Sequence, residues 1–282
     1  MAAPAGKVPI FESAGHAVRF LREHWRAIAL IAAVCALAQT AAFVVLGMTL
    51  PFLLLVFFIS ACAHAAFIGR ALGGESGKPA AILRDGARVF TAMAAVGFFI
   101  TIVAFMVFYI TMAVLIAPYD AQVKAAGQDQ AALGRIFSEA VQAQPATLSW
   151  MLLLGGVLLL LLTSRFYLAA PASVDCKRIV VFDSWRWTKG NMLRIAAARL
   201  VVLGPAYALV FALQTLASAG IGIAVTDPVQ FGALIAAEPL RFAAFYLMAG
   251  FIQFVFYAAL EAGLATYLYR GLRPTDPRRP PA

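Results

Sequence analysis

The chain has little charge. Only 12% of its 282 residues are Asp, Glu, Lys or Arg, against about 25% in an ordinary soluble domain. So few charges do not cover a water-facing surface of this size, which excludes a soluble globular protein. Cysteine and histidine are scarce too, with three of each. Cys35 and Cys62 lie in apolar runs, Cys176 lies in a basic stretch, and none are spaced as CxxC. Cys62 and His64 are two apart with no further ligand near them. Neither a disulfide framework nor a metal site is therefore expected, and no cofactor is implied. Polar low-complexity and collagen-like classes are excluded by composition. What the chain does have is apolar surface: 63% of residues are hydrophobic and the mean hydropathy is +0.88. That combination defines an integral membrane protein.

Lys and Arg number 22 and Asp and Glu 13, a formal net charge of +9. In a soluble protein this excess would suggest nucleic acid. Here the basic residues flank apolar runs, so they report topology and attraction to anionic headgroups, and no nucleic-acid partner is expected. Residues 1–26 mix Lys7, Arg19, Arg22 and Arg26 with Glu12, Glu23, His16 and His24. That head is too long and too mixed for a secretory signal, so the first apolar run reads as an uncleaved span.

A span needs about 20 mainly apolar residues. Six runs qualify: 27–47, 51–69, 90–117, 147–170, 195–224 and 241–268. The first two are joined by Gly47-Met48-Thr49-Leu50-Pro51, a tight helical hairpin with Pro51 suited to a first helical turn. With the N-terminus inside, segments 1–26, 70–89, 165–199 and 270–282 hold 19 basic residues, and the opposite side holds only Lys124, Arg135 and Arg241. The positive-inside rule then predicts that both termini are cytoplasmic. Segments 129–144 and 226–238 carry apolar residues at helical spacing and predict helices on the outer side, the second opened by Thr226-Asp227-Pro228. On the inner side, 9–26, 79–90 and 177–194 are each basic and amphipathic and each lead into a span. The expected fold is all-α and polytopic: six transmembrane helices as three hairpins with inner amphipathic helices. Its parts are an N-terminal segment 1–26, a membrane domain 27–270 and a Pro/Arg-rich tail 271–282.

Soluble-enzyme motifs are missing. Leu72-Gly73-Gly74-Glu75-Ser76-Gly77-Lys78-Pro79 misplaces the first glycine of a phosphate loop and has Pro79 where Ser or Thr would hold Mg²⁺. There is no GxSxG and no HExxH, and no catalytic residue is named. Ionisable groups inside spans are more informative, because each costs at least about 2.5 kcal/mol at a helix centre. Glu261, Arg165 and His64 stand roughly 13, 15 and 9 Å along their helices from Arg270, Asp175 and Arg70 at 1.5 Å per residue. The three are expected to share one buried polar layer, with Glu261 pairing Arg165. The alternatives are a register-fixing pair or an Arg165 that snorkels to the headgroups. Lys177, Arg178, Trp185, Arg186, Trp187 and Lys189 interleave indoles with cations, as suits a headgroup interface. Gly204-Pro205 predicts a kink in the fifth span.

Arg165-Phe166-Tyr167-Leu168-Ala169-Ala170-Pro171-Ala172, Asp175 and Asp183-Ser184-Trp185-Arg186-Trp187-Thr188-Lys189-Gly190-Asn191 together resemble a signature of a bacterial inner-membrane family. That family includes the six-helix membrane domain attached to some glycerophosphodiester phosphodiesterases, and small stand-alone relatives without an assigned role. The matching positions are Arg165, Pro171, Asp175, Ser184, Thr188, Lys189 and Gly190, about 40 residues closely and the six-span layout loosely. The resemblance implies an inner-membrane location. It transfers no hydrolytic activity, because the phosphodiesterase domain is missing. The expected role is non-enzymatic: a lipid-interacting or accessory membrane protein whose partners are anionic headgroups of the cytoplasmic leaflet. The rival is a transporter or lipid-translocating protein with a cavity near Arg165, Glu261 and Gly204-Pro205.

Overall fold

Hydrocarbon offers the backbone no hydrogen bonds, so a spanning chain must satisfy itself, and a helix does so within one segment. A computed structural model describes residues 7–74, 78–222 and 237–273, and all regular structure among them is helical. The expected outer helix over 226–238 falls almost wholly outside the described residues, as do 75–77 of the glycine-rich stretch and most of the 271–282 tail.

Helix α1 (Ile10–Glu23) is set off by His24 from α2 (Trp25–Leu46). Helix α3 (Leu50–Ala71) begins at Thr49, whose hydroxyl accepts the Phe52 N–H, with Pro51 in the first turn. Helix α4 (Pro79–Ile116) has 38 residues, about 57 Å at 1.5 Å per residue, so the amphipathic segment 79–90 and the third span are one continuous helix. A 3-10 turn leads to α5 (Asp120–Ala126) and α6 (Gln130–Ala143). Asp129 caps α6 by accepting the N–H groups of Ala131 and Ala132 at 2.9 and 3.1 Å. Helix α7 (Pro145–Arg165) stops at Arg165, and the short α8 (Ala169–Asp175) and α9 (Phe182–Trp187) follow. The amphipathic helix expected over 177–194 is thus only six residues long, the rest being turn. Helix α10 (Met192–Ile221) runs through Pro205. The last span is α11 (Pro239–Gln253), a π-helical segment (Phe254–Ala258) and α12 (Ala259–Leu272). Six helical stretches are long and apolar enough to cross a membrane, so the protein is all-α and multi-pass. The three basic segments before the odd-numbered spans take three different forms: a separate helix, a helical extension and a broken turn.

The described chain divides into two compact units, one up to Ala94 and from Ser164 onward, the other Ala95–Thr163. In the first, α2 packs on α3 and α11, α12 packs on α3 and α10, and α1 lies along α12 and α10. The inward faces are built of small residues: Ala32 and Ala36 on α2, Ala61, Ala63 and Ala65 on α3, Ala259, Ala262 and Ala265 on α12. Small side chains let helix axes approach closely where lipid supplies no hydrophobic drive. At Gly263 an added Cβ would stand 2.9 Å from the Phe20 ring, so this glycine is what lets α1 seat on α12. His16 stacks on Tyr267 at 4.2 Å, and burial pushes its imidazole below the ordinary histidine range, which favours the neutral ring there. An aromatic cluster of Phe43, Phe52, Phe242 and Phe245 closes the α2–α3 hairpin against α11. The second unit has few buried side chains, among them Leu115 and Ala140, and Gln144 Nε2 donates to the Leu115 carbonyl at 2.8 Å.

Candidate functional site: a basic surface and an intramembrane polar cavity

The end of α7 brings together Arg165, Ser184 and Thr188. A helix leaves its last carbonyls without partners, and here the chain turns at Phe166–Leu168 before resuming as α8. Ser184, fully buried on α9, supplies the missing bonds: its Oγ donates to the Arg165 carbonyl at 2.9 Å and accepts the Leu168 N–H at 3.2 Å. The buried Thr188 hydroxyl lies 3.2 Å from the same carbonyl and 2.9 Å from that of Ser184. Ser173 ties the next turn by donating to Ala169 O at 2.8 Å and accepting Val180 N–H at 3.0 Å. Gly190 closes α9 at φ +81°, a conformation that favours glycine. Asp175 accepts the Tyr269 hydroxyl at 2.8 Å and Arg273 at 2.6 Å, fastening this knot to the last span.

Outside the knot, the surface of residues 177–189 mixes charge with exposed apolar groups. Lys177, Arg178, Arg186 and Lys189 are exposed, and so are Ile179, Phe182 and Trp185. Trp187 differs: it is half-buried and packs on Tyr269 at 6.0 Å, so it belongs to the core more than to the surface. Lys177 pairs with Asp85 at 2.8 Å, while Arg178 and Arg186 share Asp183 at 3.2 and 3.4 Å. Lys177 is the non-glycine residue in the left-handed region among those described, at φ 55°. A cavity of about 330 Å³ opens beside it, lined by Gly69, Gly73, Gly74, Asp85, Asp175 and Lys177 among others.

The expected pairing of Glu261 with Arg165 is not what the fold builds. The Arg165 guanidinium lies 5.0 Å over the Trp185 ring and donates to the Trp185 carbonyl at 3.4 Å. Because α7 ends at Arg165, its side chain reaches Trp185 on α9. The cation near Glu261 is the half-buried Arg199 of α10, whose place in the sequence is that of a basic flank. It lies 4.7 Å over the Tyr167 ring and donates to Ser164 Oγ at 3.0 Å. Tyr167 in turn donates to the Glu261 backbone carbonyl at 3.3 Å.

His64 and Glu261 do come together. They line one cavity of about 230 Å³ with Ser60, Gln253 and Tyr257. Neither Arg165 nor Gly204-Pro205 lines it. Gln253 and Tyr257 were not singled out in the sequence, although Gln253 is a polar residue in the same run as Glu261.

No protein-family model, curated protein or solved structure matches the chain.

Proposed function

We propose that the protein is a non-enzymatic, multi-pass protein of the bacterial inner membrane, with both termini cytoplasmic, that binds anionic lipid headgroups at its cytoplasmic face. The carrying observation is the juxtaposition on 177–189 of exposed Ile179, Phe182 and Trp185 with exposed Lys177, Arg178, Arg186 and Lys189. Apolar side chains exposed beside cations match the depth profile of a leaflet, with indole and phenyl rings among the first acyl carbons and guanidinium groups at the phosphates. The 19-to-3 excess of basic residues supports the orientation. The resemblance of Arg165, Pro171, Asp175, Ser184, Thr188, Lys189 and Gly190 to the inner-membrane family supports the location.

The test is native mass spectrometry of protein released from nanodiscs of mixed phosphatidylglycerol and phosphatidylcholine. Each surface cation contributes about 1 kcal/mol to anionic-leaflet attraction. Replacing Arg178, Arg186 and Lys189 together with Ala is therefore expected to cut retained phosphatidylglycerol severalfold while leaving phosphatidylcholine unchanged. Equal retention by wild type and the triple variant would refute the headgroup role. The rival reading, transport, is favoured by the intramembrane cavity beside His64 and Glu261, which has its own chemistry.

A further inference from the structure

The last span contains a π-helical segment, Phe254–Ala258, where the Ala259 N–H bonds to the Phe254 carbonyl five residues back instead of four. A π segment inserts one residue into an α-helix and is found disproportionately at functional sites. Here its consequence is local. Gln253, Phe254, Tyr257, Ala258 and Glu261 all line the cavity, so the helix presents one amide, one phenol and one carboxylate to the same space. From α3 the cavity receives His64.

Three of these polar groups are unused. Among the described residues, the Glu261 carboxylate, the Gln253 amide and the His64 imidazole have no hydrogen-bond or ion-pair partner within the protein. Ser60, by contrast, is satisfied: it accepts Gln39 Nε2 at 2.9 Å and donates to the Val56 carbonyl at 2.8 Å. Unmade hydrogen bonds inside a membrane domain are expensive, and three converging on one cavity define a place for a polar partner. The remaining walls are Phe57, Phe90, Met93 and Phe254. Arg199, the nearby cation, is committed to Ser164 and the Tyr167 ring and does not line the space.

We propose that this cavity binds an organic monocation with an apolar body, of the arylalkylamine class. Its ammonium group donates to Glu261, Gln253 and His64 offer hydrogen bonds beside it, and its ring lies among the phenyl and methionine side chains. Carboxylate supplies charge complementarity, and aromatic faces attract a cation further. The site is separate from the headgroup surface and does not rest on it.

The probe is tritiated 2-phenylethylamine, measured by scintillation proximity on the full chain in nanodiscs of phosphatidylcholine alone, which removes anionic lipid as a source of cation binding. Saturable binding is expected, with 2-phenylethanol, the neutral analogue, failing to compete. Glu261→Gln should weaken binding by about tenfold or more, the loss of one charge-assisted hydrogen bond. Met93→Trp, which fills the cavity and leaves Glu261 in place, should abolish it. If Glu261→Gln does not fold, judged by circular dichroism and gel filtration, Met93→Trp alone decides: loss supports the site and retention overturns it. Absence of saturable binding to wild type, equal affinity in Glu261→Gln, or equal competition by the alcohol overturns the proposal.

Discussion

Trp25–Leu46 in the first unit and Pro79–Ala126, most of which lies in the second, have nearly the same mean hydropathy over their most apolar stretches, 2.4 and 2.6. One-third of that stretch is buried in the former and only 11% in the latter. The difference lies in side-chain size. The buried positions of α2 include Ala32, Ala36 and Ala42, and α11 and α3 pack on this helix. The second unit instead exposes Phe98, Phe105, Met106 and Tyr109 on α4 and Trp150, Leu152 and Leu154 on α7. Large apolar groups suit lipid as well as protein, so they bring no net gain on helix association, whereas small ones gain backbone proximity. Hydropathy thus identifies what lies in the membrane, and the distribution of alanine and glycine identifies what packs there.

That contrast is open to mutation. The largest effect is expected at Gly263→Leu, where the added atoms must displace Phe20 and lift α1 from α12. Overpacking of this kind costs about 3 kcal/mol and should appear as a marked fall in thermal unfolding midpoint in detergent. Ser184→Ala comes next. It strips the buried Arg165 carbonyl and Leu168 N–H of a partner, a loss of about 2 kcal/mol that Ser184→Thr should partly restore. Leu152→Ala and Leu154→Ala, in the second unit, should each move stability by less than about 0.5 kcal/mol, since neither side chain is packed. If those two changes cost as much as Gly263→Leu, the idea that small residues mark the packed helix faces fails.

The spans were readable because hydropathy is summed over some twenty residues and one polar group does not hide them. Expected 27–47 and 51–69 agree with Trp25–Leu46 and Leu50–Ala71 to within two residues at each end. Helix α6 was readable from its apolar spacing, while the Asp129 cap that opens it was not singled out. What hydropathy does not encode is where a helix breaks. Nothing in Ser164-Arg165-Phe166-Tyr167-Leu168 is a helix breaker. Pro171, four residues after Tyr167, cannot donate to the Tyr167 carbonyl, and Ser184 and Thr188, about twenty residues later, satisfy the Arg165 carbonyl at the turn, so Arg165 reaches α9 instead of Glu261. The π segment was equally hidden, since Phe254-Val-Phe-Tyr-Ala258 has the composition of an ordinary span. The rise per residue placed His64, Arg165 and Glu261 in one layer; the structure brings His64 and Glu261 to one cavity and leaves Arg165 against Trp185. Trp187 was misjudged as a surface residue because an indole suits both the interface and a core.

The seating of α1 along α12 has a consequence for biogenesis. Tyr267 donates to Glu12 at 2.9 Å, and the Val8 N–H donates to Asn191 at 3.1 Å. Residues of α1 and its approach are therefore held by residues 183 and 255 positions further along the chain. Until translation passes Tyr267, α1 has no docking partner on the final span and must wait with its basic, amphipathic surface against the bilayer. A chain that stops before Tyr267 never closes this latch.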